Sequence, residues 1–297
     1  MATRAQWIAA TRPRTLPAAV APVLVGIALA AEADAFDPGL SVLAVIVALA
    51  LQVGVNFAND YSDGIRGTDD VRVGPTRLVG QGLAAASTVK RAAFLAFGVA
   101  ALAGLGVVVI TGAWILLAVG ALAIVSAWFY TGGTRPYGYA GLGEVFVFVW
   151  FGLVAVNGTV YIQTGSIPDW RAWTLGAGAG ALSCALLVAN NLRDVPTDAV
   201  VGKRTLAVRL GEQNTRLLFV GLLFAGMASP IVVVLLTRSA QPIDAILLVP
   251  FLVAHVPGRA VLGGASGREL LPVLAASGRL LLVWSLCVSA VLTLAAV

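Results

Sequence analysis

The chain has 297 residues, of which 59% are hydrophobic and 11% charged, with a formal net charge of +5 and a mean hydropathy of +0.94. Soluble domains carry about 25% charged residues, and apolar runs long enough to cross a bilayer recur along this chain, so a soluble globule is excluded. The basic residues lie in short segments between those runs, where they orient a membrane protein, and this argues against a nucleic-acid partner.

Nine membrane helices are predicted, at about 15–31, 40–58, 92–110, 113–130, 143–163, 172–190, 215–236, 243–262 and 278–296. The first contains Pro17 and Pro22 and the eighth Pro250 and Pro257, tolerable in membrane helices whose neighbours re-satisfy the backbone. The first run lacks a cleavage site and leads straight into further spans, so it is expected to be retained. Cys184 and Cys287 sit in apolar runs with neither metal spacing nor a disulfide framework. His255, the single histidine, lies in an apolar run near a Pro-Gly break and reads as structural.

With the N-terminus in the cytoplasm, 17 of the 19 Lys and Arg fall on the inner side, Arg171 and Arg238 being the exceptions. That asymmetry supports nine spans in this orientation. Two inner connections are long, about 59–91 and 191–214, and long polar loops on one face of a bundle carry function. The reading is one all-α integral membrane domain over residues 1–297.

The first polar segment, from Asn56 through Asn59, Asp60, Asp63 and Arg66 to Asp69 and Asp70, follows span two directly. If the helix continues, Asn56, Asp60 and Asp63 share one face. The second, from Asn190 and Asn191 through Arg193 and Asp194 to Asp198, follows span six. There Asn190, Asp194 and Asp198 share a face, provided Pro196 does not end the helix. Both contain Asn-x-x-x-Asp, with an offset of 134 residues between the copies, compatible with a duplication. Six of the fourteen carboxylates belong to these two segments. Such clusters repel unless a cation intervenes, and hard oxygen ligands with amide neighbours suit magnesium. Asp60, Asp63, Asp194 and Asp198 are the candidate metal ligands. Arg66, Arg77, Lys203 and Arg204 stand beside them and suit diphosphate oxygens, so a metal-bridged phosphate ester is expected. The bland alternative is solvated helix ends with Asn and Asp as caps. A transporter would carry its coupling carboxylates in mid-span, and no predicted span centre holds one.

Trp128–Gly133 closes span four, and the segment from Arg135 to Glu144 opens span five. Tyr130, Tyr137 and Tyr139 either form an interfacial aromatic belt or shield a cation and hold an aromatic ring. Glu144 is either a favourable charge at a helix N-terminus or an active-site acid. Arg12-Pro13-Arg14 opens span one and either fixes topology or supplies Arg14 to a substrate carboxylate.

The two segments resemble the paired Asp-rich motifs of the UbiA-type intramembrane prenyltransferases, most closely the branch that prenylates 1,4-dihydroxy-2-naphthoate. The matching stretches are Arg12–Gly26, Asn56–Gly82, Tyr130–Gly152 and Asn190–Gly211. Many members carry a third aspartate where this chain has Gly67; the naphthoate branch tends to lack it, and Asp69 or Asp70 could substitute. The resemblance implies nine helices and Mg2+. It implies a polyprenyl diphosphate donor gripped by Asn56, Asn59, Arg66, Arg77, Asn190, Asn191, Lys203 and Arg204. It also implies a dihydroxynaphthoate acceptor in a pocket with Arg14, Tyr61, Tyr130, Tyr137, Tyr139 and Glu144, at the cytoplasmic face of the cell membrane. The rival readings are another acceptor, such as 4-hydroxybenzoate or a homogentisate-like ring, and a membrane carrier of lipid phosphates.

Overall fold

The computed structural model describes residues 2–67 and 77–295, and all regular structure among them is helical. A short helix α1 (Arg4–Ala10) and a turn over Pro13–Thr15 lead into α2 (Pro17–Glu32), with a bend of 51° between the two parts. Arg12, at the bend, adopts a left-handed φ of 54°, uncommon for a residue with a side chain. The amide of Asn56 donates to the Thr11 carbonyl at 2.9 Å and holds this corner.

Helix α3 (Pro38–Ile65) starts from Asp37, whose side chain accepts from the Leu40 amide, with Pro38 at the first position; both are favoured helix starts. It runs through the whole polar stretch from Asn56 to Asp63, because apolar surroundings force every backbone group to be satisfied within the segment. Helix α4 (Ala86–Thr111) ends at Gly112, in the left-handed region, and α5 (Ile115–Phe129) follows at once. At 15 residues, α5 is about 22 Å long, short of the roughly 30 Å hydrocarbon core.

Helices α6 (Gly143–Phe148) and α7 (Ala155–Thr164) are joined by a π-helical turn over Val149–Val154. Gly152 in that turn presses on α8 (Trp170–Val200): a Cβ there would lie 2.5 Å from the Gly176 carbonyl and the Gly180 Cα. Helix α8 continues past Pro196, so the second motif, like the first, is helical. Helix α9 (Leu206–Thr237) is broken at Gly211, φ 74°. A 3-10 turn over Pro242–Leu248, α10 (Val249–Leu262) and α11 (Leu270–Leu294) complete the chain.

By length and apolar character, seven helical segments among the described residues can cross a membrane, and the bent α1–α2 pair raises the number to eight. The expected span at 113–130 corresponds to the shorter α5. Helix α8 is central, packed on α6, α9 and α11, with Leu175, Phe219 and Trp284 fully buried in the core around it. Small residues permit its close approach to α9, where the Gly226 carbonyl and the Ser229 side chain lie against Gly178. Leu95, Leu102, Val109 and Leu122 of α4 and α5 face outward, as lipid contact requires.

Candidate active site

The ends of α3 and α8 converge on one cavity of about 720 Å3. Asn56, Asn59 and Asp63 line it from α3, and Asn190, Asn191 and Asp198 from α8. Its apolar part is bounded by Ala44 and Val47 of α3, Val107 of α4, Val119 and Gly120 of α5 and Ile162 of α7. Ala44 and Asp63 lie on one helix, so the cavity runs about 28 Å along α3, nearly a bilayer core.

Asp63, 3% exposed, is the most connected group. The Tyr139 hydroxyl donates to its Oδ1 at 2.6 Å. Lys203 Nζ stands 3.2 Å from the same oxygen, and Arg77 lies 3.6 Å from Oδ2. Lys203 also sits 4.6 Å above the Tyr139 ring, a cation–π contact. The loop that presents Tyr139 is built by glycine. A Cβ on Gly138 would meet the Tyr130 carbonyl at 2.6 Å, and the Gly138 amide donates to that carbonyl at 3.0 Å. The Arg204 amide donates to the Tyr139 carbonyl at 3.0 Å, tying the tail of the second motif to this loop.

In each motif the first aspartate is held by the protein away from the cavity. Asp60 accepts the backbone amides of Leu78 at 2.7 Å and Val79 at 3.1 Å. That loop lies so close to α3 that a Cβ on Gly64 would be 2.5 Å from Val79. Asp194 accepts two hydrogen bonds of 2.7 Å from Arg193, its neighbour in sequence. Neither Asp60 nor Asp194 lines the cavity, whereas Asp63 and Asp198 do.

Tyr130 and Tyr137 also line the cavity, packed edge to face with centroids 5.5 Å apart. Burial pushes the Tyr137 phenol up, and it donates to the Ser126 carbonyl at 2.8 Å. Arg14 reaches the cavity with an exposed side chain. Other expected site residues stand apart from it. Arg66 donates to the Thr131 and Gly133 carbonyls, and Arg204 is exposed. Tyr61 stacks on Trp128 at 6.0 Å. Glu144 accepts from Asn191 at 2.9 Å and is buried behind it. Asp69 and Asp70 lie outside the described residues.

The structure adds residues that sequence reasoning passed over. Gln52 lines the cavity one turn before Asn56, and its amide donates to Thr15 at 3.0 Å. The Thr131 hydroxyl donates to Asn59 at 2.8 Å. Arg12 and Arg193 also line the cavity. The i, i+4 spacing to Asn56 and the i, i+3 spacing from Asn190 signalled Gln52 and Arg193; nothing local signalled Thr131.

The set of donors fits a hard divalent cation. Among the described residues no three of His, Cys, Asp and Glu cluster tightly enough to hold an ion by themselves. Magnesium uses one or two carboxylates and fills its remaining positions with water and phosphate oxygens. Asp63 and Asp198 offer one carboxylate from each motif to a shared cavity that also holds amide oxygens.

The model of the UbiA prenyltransferase family matches residues 19–262. A 1,4-dihydroxy-2-naphthoate octaprenyltransferase of Mycobacterium tuberculosis is 51% identical over 293 residues, 98% of each chain. The apo structure of a UbiA homologue from Aeropyrum pernix K1 has a TM-score of 0.71 at 14% identity, over 93% of this chain and 95% of that one. A UbiA homologue from Archaeoglobus fulgidus, bound to GPP and Mg2+, has a TM-score of 0.65 at 12% identity, over 96% and 99%. With the two motifs meeting in one cavity and the family match spanning most of the sequence, the chain belongs to the UbiA prenyltransferase family and is a multi-pass membrane protein.

Proposed function

We propose that the protein transfers a polyprenyl group from an allylic polyprenyl diphosphate to 1,4-dihydroxy-2-naphthoate, releasing diphosphate and carbon dioxide and giving demethylmenaquinol for menaquinone synthesis. The observation that carries this reading is the 51% identity, over nearly the full length of both chains, to a relative that bears that activity in its name. The cavity suits the substrates: a cationic, amide-lined end for a diphosphate, a long apolar part for an isoprenoid tail, and tyrosine rings between.

Lys203 and Arg77 take the negative charge that develops on the leaving diphosphate. The faces of Tyr130 and Tyr137 stabilise the allylic cation left behind. The apolar walls keep out water, which would trap that cation. The ring carbon bearing the carboxylate forms the new bond to the allylic carbon. The bond to the carboxylate then breaks, carbon dioxide leaves, and its electron pair returns to the ring. Arg14, at the rim, draws the acceptor in. Asp63 and Asp198, with Asp60 and Asp194 behind them, would hold magnesium, which when bound neutralises diphosphate charge. The distribution of basic residues, 17 of 19 on one side in the nine-span reading, favours a site at the cytoplasmic face of the cell membrane.

Purified protein given polyprenyl diphosphate and a panel of aromatic acceptors should release diphosphate and yield the decarboxylated, prenylated naphthalenediol by mass, with magnesium and not with EDTA. Preference for 4-hydroxybenzoate, or turnover without a divalent metal, would overturn the corresponding part of the proposal.

A further inference from the structure

Arg193 is the most deeply buried cation at the cavity. Its side chain is 0% exposed, and that of its partner Asp194 is 2%. Two nitrogens, Nε and Nη2, donate to the two oxygens of Asp194 at 2.7 Å each. That is the fork geometry in which arginine holds a carboxylate best. The third nitrogen, Nη1, is buried and has no hydrogen-bond partner. Buried donors are nearly always satisfied, and one left over at a functional cavity needs an explanation. Arg193 lines the cavity one turn beyond Asn190, on the helix that also presents Leu186 and Leu187 to it. Helix α11 packs on α8 and on the Pro13–Thr15 turn and adds Leu271 and Leu274 to the same lining.

The geometry points to Arg193 as the residue that orients the carboxylate of the aromatic acceptor through Nη1, with Asp194 fixing the guanidinium. This rests on the functional reading above. The charge of the pair decides which anion it suits. Asp194 cancels the charge of Arg193, so the pair offers a directional hydrogen bond and little net positive potential. A diphosphate, carrying several negative charges, needs net cations, and those stand at Asp63 as Lys203 and Arg77. A single carboxylate that must leave as neutral carbon dioxide needs the opposite. It must be aimed, yet its anionic form must not be stabilised so strongly that its loss is opposed. The apolar side chains that α8 and α11 add to the same cavity, Leu186, Leu187, Leu271 and Leu274, suit a bicyclic ring.

Arg193→Lys keeps a cation against Asp194, and so avoids stranding a buried carboxylate, but it removes Nη1. In this variant the apparent KM for the naphthoate acceptor should rise tenfold or more while that for the polyprenyl diphosphate stays within twofold. Competition by 1-naphthol, which lacks the carboxylate, should be unchanged, and competition by 1-hydroxy-2-naphthoate should weaken to match it. Equal loss for donor and acceptor, or no loss, overturns the assignment. A wild-type measurement covers the case in which the variant does not fold. The preference for 1-hydroxy-2-naphthoate over 1-naphthol should persist from roughly 0.05 to 0.5 M salt, because a buried contact is little screened. If the preference is absent, or disappears with salt, the carboxylate is held at the exposed Arg14 or not at all, and Arg193 is not its partner. Failure of the functional reading looks different: the wild-type protein would then make no product from the naphthoate.

Discussion

Lys203 of the second motif reaches across the cavity to Asp63 of the first, 3.2 Å from its Oδ1. The two residues are 140 positions apart, and their contact joins the motifs into one charged end, closed on a third side by the Tyr139 hydroxyl. Lys203→Ala should therefore act on the donor. The apparent KM for polyprenyl diphosphate should rise, or turnover fall, by tenfold or more, with the acceptor KM little changed. Steady-state kinetics in detergent, varying each substrate in turn, is the check, and an effect confined to the acceptor would contradict it.

Asp60 is committed to the backbone of Leu78 and Val79. Asp60→Ala should free the loop that follows the first motif as well as reduce turnover. Each amide left short of an acceptor costs about 1–3 kcal/mol. Limited proteolysis should find new cleavage near residues 77–84, whereas Asp198→Ala should lose turnover without that cleavage. If both variants resist protease equally, Asp60 does not pin the loop.

Arg14 is exposed at the cavity rim, so its contribution should be electrostatic and screened. Arg14→Gln, which removes the charge, should insert normally and bind donor normally. Its acceptor use should weaken by roughly tenfold at low salt, about 1.4 kcal/mol. The gap to wild type should narrow as salt is added. Unchanged acceptor kinetics would leave Arg14 as a topogenic charge.

Gly120 of α5 and Gly158 of α7 line the apolar part of the cavity, and a Cβ on either would meet nothing within 4 Å. Side chains placed there enter the space proposed for the isoprenoid tail. Gly120→Leu and Gly158→Leu should shift preference toward shorter donors, read as a rise in the ratio of kcat/KM for geranyl over octaprenyl diphosphate. An unchanged ratio would place the tail elsewhere.

Reporters fused after Asp37, Thr111, Asp169 or Arg238 should read outside, and those within 132–140, 199–212 or 264–270 inside. The residues near the first three outer positions are consistent with fixed helix ends: Asp37 and Asp169 cap α3 and α8, and Gly112 ends α4. A cytoplasmic signal at residue 169 would break the nine-span topology.

The sequence by itself determined that this is a helical membrane protein and put its Asn- and Asp-bearing motifs at the ends of two helices. Those conclusions follow from local rules: long apolar runs, basic flanks, and Asn and Asp repeating at helical spacing. The uninterrupted helices through Asp63 and past Pro196 fulfil the condition on which that spacing depended. Helical spacing cannot distinguish residues on one face, since it sets where a Cβ points and not what the side chain meets. Asp60 and Asp63 share a face of α3, yet one is taken by backbone amides from a loop 18 residues on and the other by a lysine from another helix end. Asp194 and Asp198 divide likewise: Arg193 claims the first, while the second reaches the cavity. Only the tertiary structure decided these partners, because the competing donors arrive from distant segments, and in a buried, low-dielectric end each carboxylate is settled by whichever donor reaches it.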